Sequence, residues 1–337
     1  MTTPRTLVYQ TLDFANPARV PRNLWTLPWA DMYYPGAVEH IEQDFPSDIT
    51  GARHVYRTPP RRQGEQYEIG VYVDEWGSTF TNYQRGVIGE VKHPLIRREN
   101  WEDKDNLRLP AELLSVDTDA INAFCRSTDR FVTGGINVNP FERLQWIRGS
   151  EQVYVDLALR QQGLLDVLNK IHAFDCELFS LLASTDIDCL CVFDDWGAQR
   201  SLLISPAMWI EIFKPLYKDY VDIAHRHGKR LFMHSDGYTL DIIPHLIELG
   251  VDAANLQLFC IGLDRLAPFR GQITFWGEID RQRLLVSASL QEVEEAVVAV
   301  KDTLWAGGGC IAQCEFGAGA RPENVYKVFE TWDKLVG

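Results

Sequence analysis

Apolar residues run along this chain in two rhythms. Short apolar stretches, many rich in β-branched or aromatic residues, end in polar side chains. Longer stretches follow them, with apolar positions three and four apart. The first rhythm predicts strands at 23–26, near 45–49, and at 131–137, 188–193, 230–234, 252–256, 272–276 and 310–313. The second predicts helices over 151–183, 206–227, 239–249, 288–305 and 322–335. Strands that alternate with helices imply a parallel sheet. About eight such units favour a closed (β/α)8 TIM barrel, an α/β fold, over an open sheet.

The segment 67–80 follows a different rule. It alternates polar with β-branched or aromatic residues, the signature of an antiparallel hairpin. A single domain spanning 1–337 is therefore expected, with 50–95 as an N-terminal β-hairpin insertion covering one end of the barrel.

Composition narrows the partners. With 46% hydrophobic and 24% charged residues, the 337-residue chain has the balance of an ordinary globular protein. A net charge of −14 argues against a nucleic-acid surface, which needs clustered Lys and Arg. No apolar run reaches the roughly 18 residues of a membrane span, and the N-terminus lacks the apolar core of a signal peptide. Seven cysteines, an odd number mostly in apolar surroundings, fit free thiols in a reducing cytoplasm. A cytoplasmic protein acting on a small-molecule substrate is expected.

Polar residues gather where predicted strands end: Asn137 and Asn139, Asp194 and Asp195, His234 and Asp236, Asn255 and Gln257, Glu278 and Asp280, Cys314 and Glu315. In a barrel these positions ring one chamber. His234 and Asp236 are two apart and share a face of an extended strand. Their imidazole and carboxylate suit Zn2+, and Cys314 would add a thiolate from a distant strand end. The alternative is a hydrogen-bonded core histidine and a small buried thiol. Adjacent strand residues face opposite ways, so at most one of Asp194 and Asp195 enters the chamber, as a substrate ligand or base. A salt bridge or a helix N-cap is the other reading of that pair. Trp25, Trp29, Tyr33 and Tyr34 form an aromatic patch that either lines an apolar cavity or packs in the core. The glycine-containing loop 314–321 precedes a helix with Pro322 in its first turn, but it lacks the Lys-Ser/Thr of a P-loop.

Several segments taken together carry a family resemblance: Asp74-Glu75-Trp76-Gly77, Phe193-Asp194-Asp195-Trp196-Gly197, Leu203-Ile204-Ser205-Pro206, Phe213-Lys214-Pro215, His234-Ser235-Asp236-Gly237 and Gln313-Cys314-Glu315-Phe316-Gly317. The chain resembles the uroporphyrinogen decarboxylase superfamily, which includes decarboxylases and methyltransferases that exchange methyl groups with corrinoid proteins. The resemblance implies a (β/α)8 barrel. Decarboxylases of this type hold the tetrapyrrole carboxylates with arginines in an Arg-Gln-Ala-Gly-Arg stretch. Here that stretch reads Pro28-Trp29-Ala30-Asp31-Met32, so both arginines are absent. The histidine of a later Gly-His-Gly motif is also missing, while the aspartate that contacts pyrrole nitrogens is matched by Asp48. The methyltransferase branch carries zinc on His-x-Cys and a later Cys, which here become His234, Asp236 and Cys314. The resemblance thus implies a zinc-dependent methyltransferase working with a corrinoid (cobalamin) carried by a partner protein. Its small substrate or carrier would be a thiol, a folate or a methoxy compound. Asp194 or Asp195, Asn139 and Asn255 are expected to orient the substrate, with Trp25, Trp29 and Glu278 lining the site. The alternative is a metal-independent decarboxylase or other lyase that uses Asp48 as its anchoring carboxylate.

Overall fold

The computed structural model describes residues 2–53, 55–97 and 100–336. Its strands are β1 Arg22–Thr26, β2 Ile49–Gly51, β3 Gly70–Val73, β4 Thr79–Asn82, β5 Glu90–Val91, β6 Phe131–Val138, β7 Cys189–Phe193, β8 Arg230–Ser235, β9 Ala253–Leu256, β10 Thr274–Trp276 and β11 Cys310–Phe316. Eight of them form a parallel sheet in the order β1-β11-β10-β9-β8-β7-β6-β2. The sheet curls until β1 and β2 flank a seam, where the Asp48 N–H donates to the Arg22 carbonyl at 2.8 Å. The result is a nearly closed TIM barrel wrapped by helices. Strands β3, β4 and β5 form a separate antiparallel sheet within the 50–95 segment. A buried ion pair, Arg143 to Asp74 at 2.6 Å, ties the turn after β3 to the helix Pro140–Arg148. Among the described residues, no helix is long and apolar enough to cross a membrane. All seven cysteines are free.

The period of two along each barrel strand divides the core. Ile49, Phe131, Cys189, Cys191, Phe232, Ala253, Trp276 and Ile311 point inward and pack with Val8 and Leu12 of the N-terminal helix Pro4–Leu12. Their strand neighbours Leu190, Val192, Leu231, Met233, Ala254, Ala312 and Cys314 belong to the larger core between strands and helices.

The helix expected over 151–183 is two helices, Ser150–Ala158 and Gln162–Ala183. They are separated at Arg160, whose φ of 52° is left-handed and breaks the helical path. The helix over 206–226 contains a π-helical turn at Trp209–Phe213, just before Pro215. Proline has no N–H for the ordinary bond four residues back. The strand expected near 45–49 starts only at Ile49, because Phe45 closes the helix Ala37–Asp44.

The N-terminal end of the barrel is stitched by carboxylates. Asp48 accepts the Arg22 N–H at 2.7 Å, Asp188 the Val132 N–H at 2.7 Å, and Asp252 the Leu231 N–H at 2.8 Å. Each residue precedes one strand and bonds to its neighbour. Each also meets an arginine: Arg19, Arg5 and Arg230 respectively. Asp48 is the most enclosed, 1% exposed, and takes both arms of Arg19 at 2.6 Å. This corrects the expectation that Asp48 belongs to the chamber. It precedes its strand, so it lies at the opposite end of the barrel and closes the seam there.

Removing this carboxylate leaves Arg19 and a buried N–H without their acceptor. Asp48→Ala should lower unfolding stability by roughly 3 kcal/mol in a urea titration and leave the folded far-ultraviolet CD spectrum unchanged. A loss under about 1 kcal/mol would show that the seam does not need it.

Candidate active site at the barrel mouth

The C-terminal strand ends build one polar chamber. His234 ends β8 facing inward, and its Nδ1 meets the Asn255 Oδ1 on β9 at 2.7 Å. Asn255 is fixed in turn, because its amide donates to the Trp276 carbonyl. An acceptor at Nδ1 places the ring proton there and aims Nε2 into the chamber. Nε2 lies 3.5 Å from an Asp195 carboxylate oxygen and 3.8 Å from Asp236 Oδ1. Ligand atoms of Asp195, His234 and Asp236 all lie within 4.8 Å of one another.

The two motif loops that carry these residues interlock. The Asp236 N–H donates to the Asp195 carboxylate at 2.8 Å, the Trp196 N–H to the Ser235 hydroxyl at 2.9 Å, and the Gly197 N–H to the Asp236 carbonyl at 3.0 Å. A Cβ on Gly237, whose φ is 78°, would fall 2.2 Å from the Gly197 carbonyl oxygen. Two glycines are therefore needed for the loops after β7 and β8 to touch, which explains their place in both motifs.

Electrostatics are set by crowding of acids. Burial pulls the His234 imidazole down, but the hydrogen bond and charge of Asp195, the charge of Asp236 and the bond to Asn255 outweigh it and raise it to about 9. Burial pushes Asp195 up, yet the bond to His234 and its charge leave the carboxyl below its ordinary value. Burial raises Glu278 to about 8 against the pull of Arg281, and raises Glu315 against the same pull. Arg281 reaches three of the acids: Asp236, Glu278 at 3.3 Å and Glu315 at 3.4 Å. Glu142, in the first turn of the helix after β6, is held well above its ordinary value by burial and the charges of Asp195 and Asp194. Aromatic rings wall one side. Trp25 stacks on Phe193 at 5.6 Å and lies 5.3 Å from the His234 ring and 5.1 Å from Trp276.

The expected residues divide between the chamber and its surroundings. Asp195, His234, Asp236, Asn255, Glu278 and Trp25 meet there. Asp194 does not. It faces the helices and accepts the N–H groups of Phe141 at 3.1 Å and Glu142 at 2.8 Å, with the Tyr217 hydroxyl at 3.0 Å. That is a carboxylate at a helix N-terminus, favoured by the helix dipole. Cys314 is also displaced from its expected role as a metal ligand. On β11 it shares the outward face with Cys310 and Ala312, and among the described residues it joins no cluster with His234 and Asp236. Burial pushes its thiol well up. Glu315, one residue on, takes the inward position. Asn139 accepts from Arg143 at 3.4 Å, and Trp29 stacks on Tyr33 at 4.6 Å rather than facing His234. The side chain of Asn137 lies outside the described residues. Sequence reasoning missed Glu142 and Arg281, and it took Cys314 rather than its neighbour Glu315 as the inward residue. With Ile311 known to face inward, the period of two gives Glu315 the inward position over Cys314, and Pro140 marks the helix start that carries Glu142.

Two cavities open beside this centre. One of about 190 Å³ is lined by Gln199, Gln257, Cys260, Glu278 and Arg281 among others. The second, about 580 Å³, lies behind β1 between Thr26, Leu27, Pro28, Asp31, Met32 and Tyr67. Tyr67, from the 50–95 segment, feels the charge of Glu315.

The three-residue cluster fits a divalent metal. It offers a neutral-capable nitrogen aimed by Asn255 and two carboxylates, and Asp236 Oδ1 is buried without a hydrogen-bond partner. Zinc accepts such nitrogen and oxygen ligands, although this set is harder than one containing thiolate.

No curated protein matches the sequence. Among solved structures, a methyltransferase from Methanosarcina mazei superposes with a TM-score of 0.68 at 12% identity, over 100% of both chains. Xylanase 10B from Thermotoga petrophila RKU-1 gives 0.46 at 12% identity, over 100% of this chain and 99% of that one. A B12-independent methionine synthase from Shewanella sp. W3-18-1 gives 0.44 at 11% identity, over 88% and 85%. At such identities the likeness concerns the fold. Residues 69–335 match the uroporphyrinogen decarboxylase (URO-D) family, most of the chain and every motif that builds the chamber, and the chain belongs to that family.

Proposed function

We propose that this protein is a metal-dependent methyltransferase, moving a methyl group between a corrinoid protein and a small thiol, folate or methoxy compound. The observation that carries this reading is the cluster of His234 Nε2 with Asp195 and Asp236, open to the chamber on one side and oriented by Asn255 on the other. The fold shared with a methyltransferase supports it. Asp195, His234 and Asp236 would hold the metal, with zinc the ion proposed and Asp195 taking the place expected for Cys314. Bound there, zinc supplies Lewis-acid polarisation of the methylated heteroatom or of its acceptor.

The remaining chemistry belongs to the side chains. Arg281 neutralises Asp236, Glu278 and Glu315 enough for them to share one chamber. Glu142, whose carboxyl burial and the charges of Asp195 and Asp194 push up, is the proposed source of a proton for a leaving oxygen or sulfur. Trp25, Phe193 and Trp276 present a water-excluding wall for a methyl group. The corrinoid partner would dock over the mouth beside the cavity at Thr26–Met32, where Tyr67 and Asp31 line the approach.

The decarboxylase alternative has less support. Asp48, its proposed anchor, lies at the far end of the barrel. Among the described residues, the chamber sets the carboxylates of Asp195, Asp236 and Glu315 against Arg281 and His234, so a polycarboxylate would meet like charge. Uroporphyrinogen should give no coproporphyrinogen above background, and turnover near 1 per second would overturn the methyltransferase assignment.

The metal reading makes two further predictions. After dialysis against zinc, the wild type and Cys314→Ser should each retain one equivalent more than His234→Ala, with corrinoid-dependent methyl transfer following the same pattern. Equal zinc content in all three proteins would remove the proposed ligand set. In metal-free protein, NMR should show His234 losing its proton near pH 9. Its folded value is raised, so the stability from its carboxylate partners is complete below the ordinary 6.5 and fades as pH rises through 9. Titration at 6.5 would mean that Asp195 and Asp236 do not face the ring.

A further inference from the structure

Far from the chamber, on the outside of the barrel, the helix Gln162–Ala183 and the helix Lys214–Arg226 pack side by side. At their junction stand His172, Cys176 and Asp219, whose ligand atoms all lie within 4.8 Å of one another. We propose that these three residues form a second, peripheral site for zinc that clips the two helices together.

The first argument is spacing. His172 and Cys176 are four apart on one helix and so lie on one face, the spacing by which paired helical side chains chelate a metal. Cys176 Sγ is 3.6 Å from His172 Nε2. Bonds of 2.0–2.1 Å to nitrogen and 2.3 Å to sulfur, at a tetrahedral angle, place the two ligand atoms roughly 3.6 Å apart. The Asp219 oxygen is 2.9 Å from the same Nε2. Its side chain is 58% exposed, so it can give the few tenths of an ångström that a shared ion needs. Sγ is nearly as close to Nδ1, at 3.7 Å, so binding also turns the thiol toward the Nε2 lone pair.

The second argument is the support behind the ring. His172 Nδ1 meets the Tyr220 hydroxyl at 3.1 Å, and that hydroxyl donates to the buried Asp175 at 3.3 Å. With the hydroxyl proton on Asp175, the Tyr220 oxygen accepts from Nδ1–H. Without metal, Nε2–H donates to the Asp219 carboxylate at 2.9 Å, and a cation would take the place of that proton beside the sulfur. A chain of this kind behind a histidine is how metal sites fix tautomer and ring orientation. A cation among the three donors satisfies them together, and a nitrogen, sulfur and oxygen set favours zinc over magnesium or calcium.

The thiolate separates this site from the chamber, whose proposed ligands include none. Adding Co2+ to the metal-free full chain should produce a near-ultraviolet thiolate-to-cobalt absorption, and zinc should displace it. The band should survive His234→Ala and vanish in Cys176→Ser and His172→Ala. Tyr220→Phe, which keeps the ring packing, should weaken zinc binding at this site by about 10- to 100-fold. Zinc should also raise the thermal midpoint of His234→Ala protein, and this rise should be absent when Cys176→Ser is added. No thiolate band in the wild type, or a band unchanged in Cys176→Ser, would overturn the proposal whether or not the chamber binds metal.

Discussion

A strand in a closed barrel can offer the chamber only every second side chain. That constraint decides the chemistry of this protein more than any single residue does. On β8 it brings His234 and Asp236 inward together and leaves Ser235 to bond the neighbouring loop. After β7 it selects Asp195 and turns Asp194 back onto the helix Pro140–Arg148. On β11 it hides Cys314 and presents Glu315. The donors that meet in the chamber are therefore nitrogen and oxygen, a harder set than one with a thiolate.

The same constraint concentrates acids. Among the described residues, five carboxyls share the mouth with one guanidinium and one imidazole, and burial would make such a group costly if it were left uncompensated. Arg281 answers part of this by touching three of them. His234 and Glu278, raised to about 9 and about 8, answer another part by holding their protons, and the Glu142 carboxyl is pushed up in the same direction. Each response is also a capacity: a ring nitrogen that exchanges a proton for a metal, and a neutral carboxyl that can donate.

The two ends of the barrel divide the work. Asp48, Asp188 and Asp252 accept backbone N–H groups from adjoining strands at the N-terminal end, where Tyr9 also reaches Asp188 at 3.0 Å. These carboxylates stabilise the closure. The acids at the other end are spared that task and serve the chamber, the separation between stability and function that this architecture permits.

The sequence by itself determined the barrel. The strand and helix rhythms reflect burial of both strand faces and one helix face, which local composition records directly. It also determined that the chemistry gathers at strand ends, and that His234 and Asp236 act from one face. It does not distinguish an aspartate before a strand from one after it when the start of β2 is open by a few residues, and only the structure places Asp48 at the end away from the chamber. It could not say which of two adjacent polar residues turns inward, because the register of Asp194 and Asp195, or of Cys314 and Glu315, depends on where each strand begins its alternation. Tertiary structure alone decided that Glu142 and Arg281 join the chamber. They come from a helix and a loop whose direction is set by packing against neighbouring strands, a long-range contact that leaves no periodic trace in the chain.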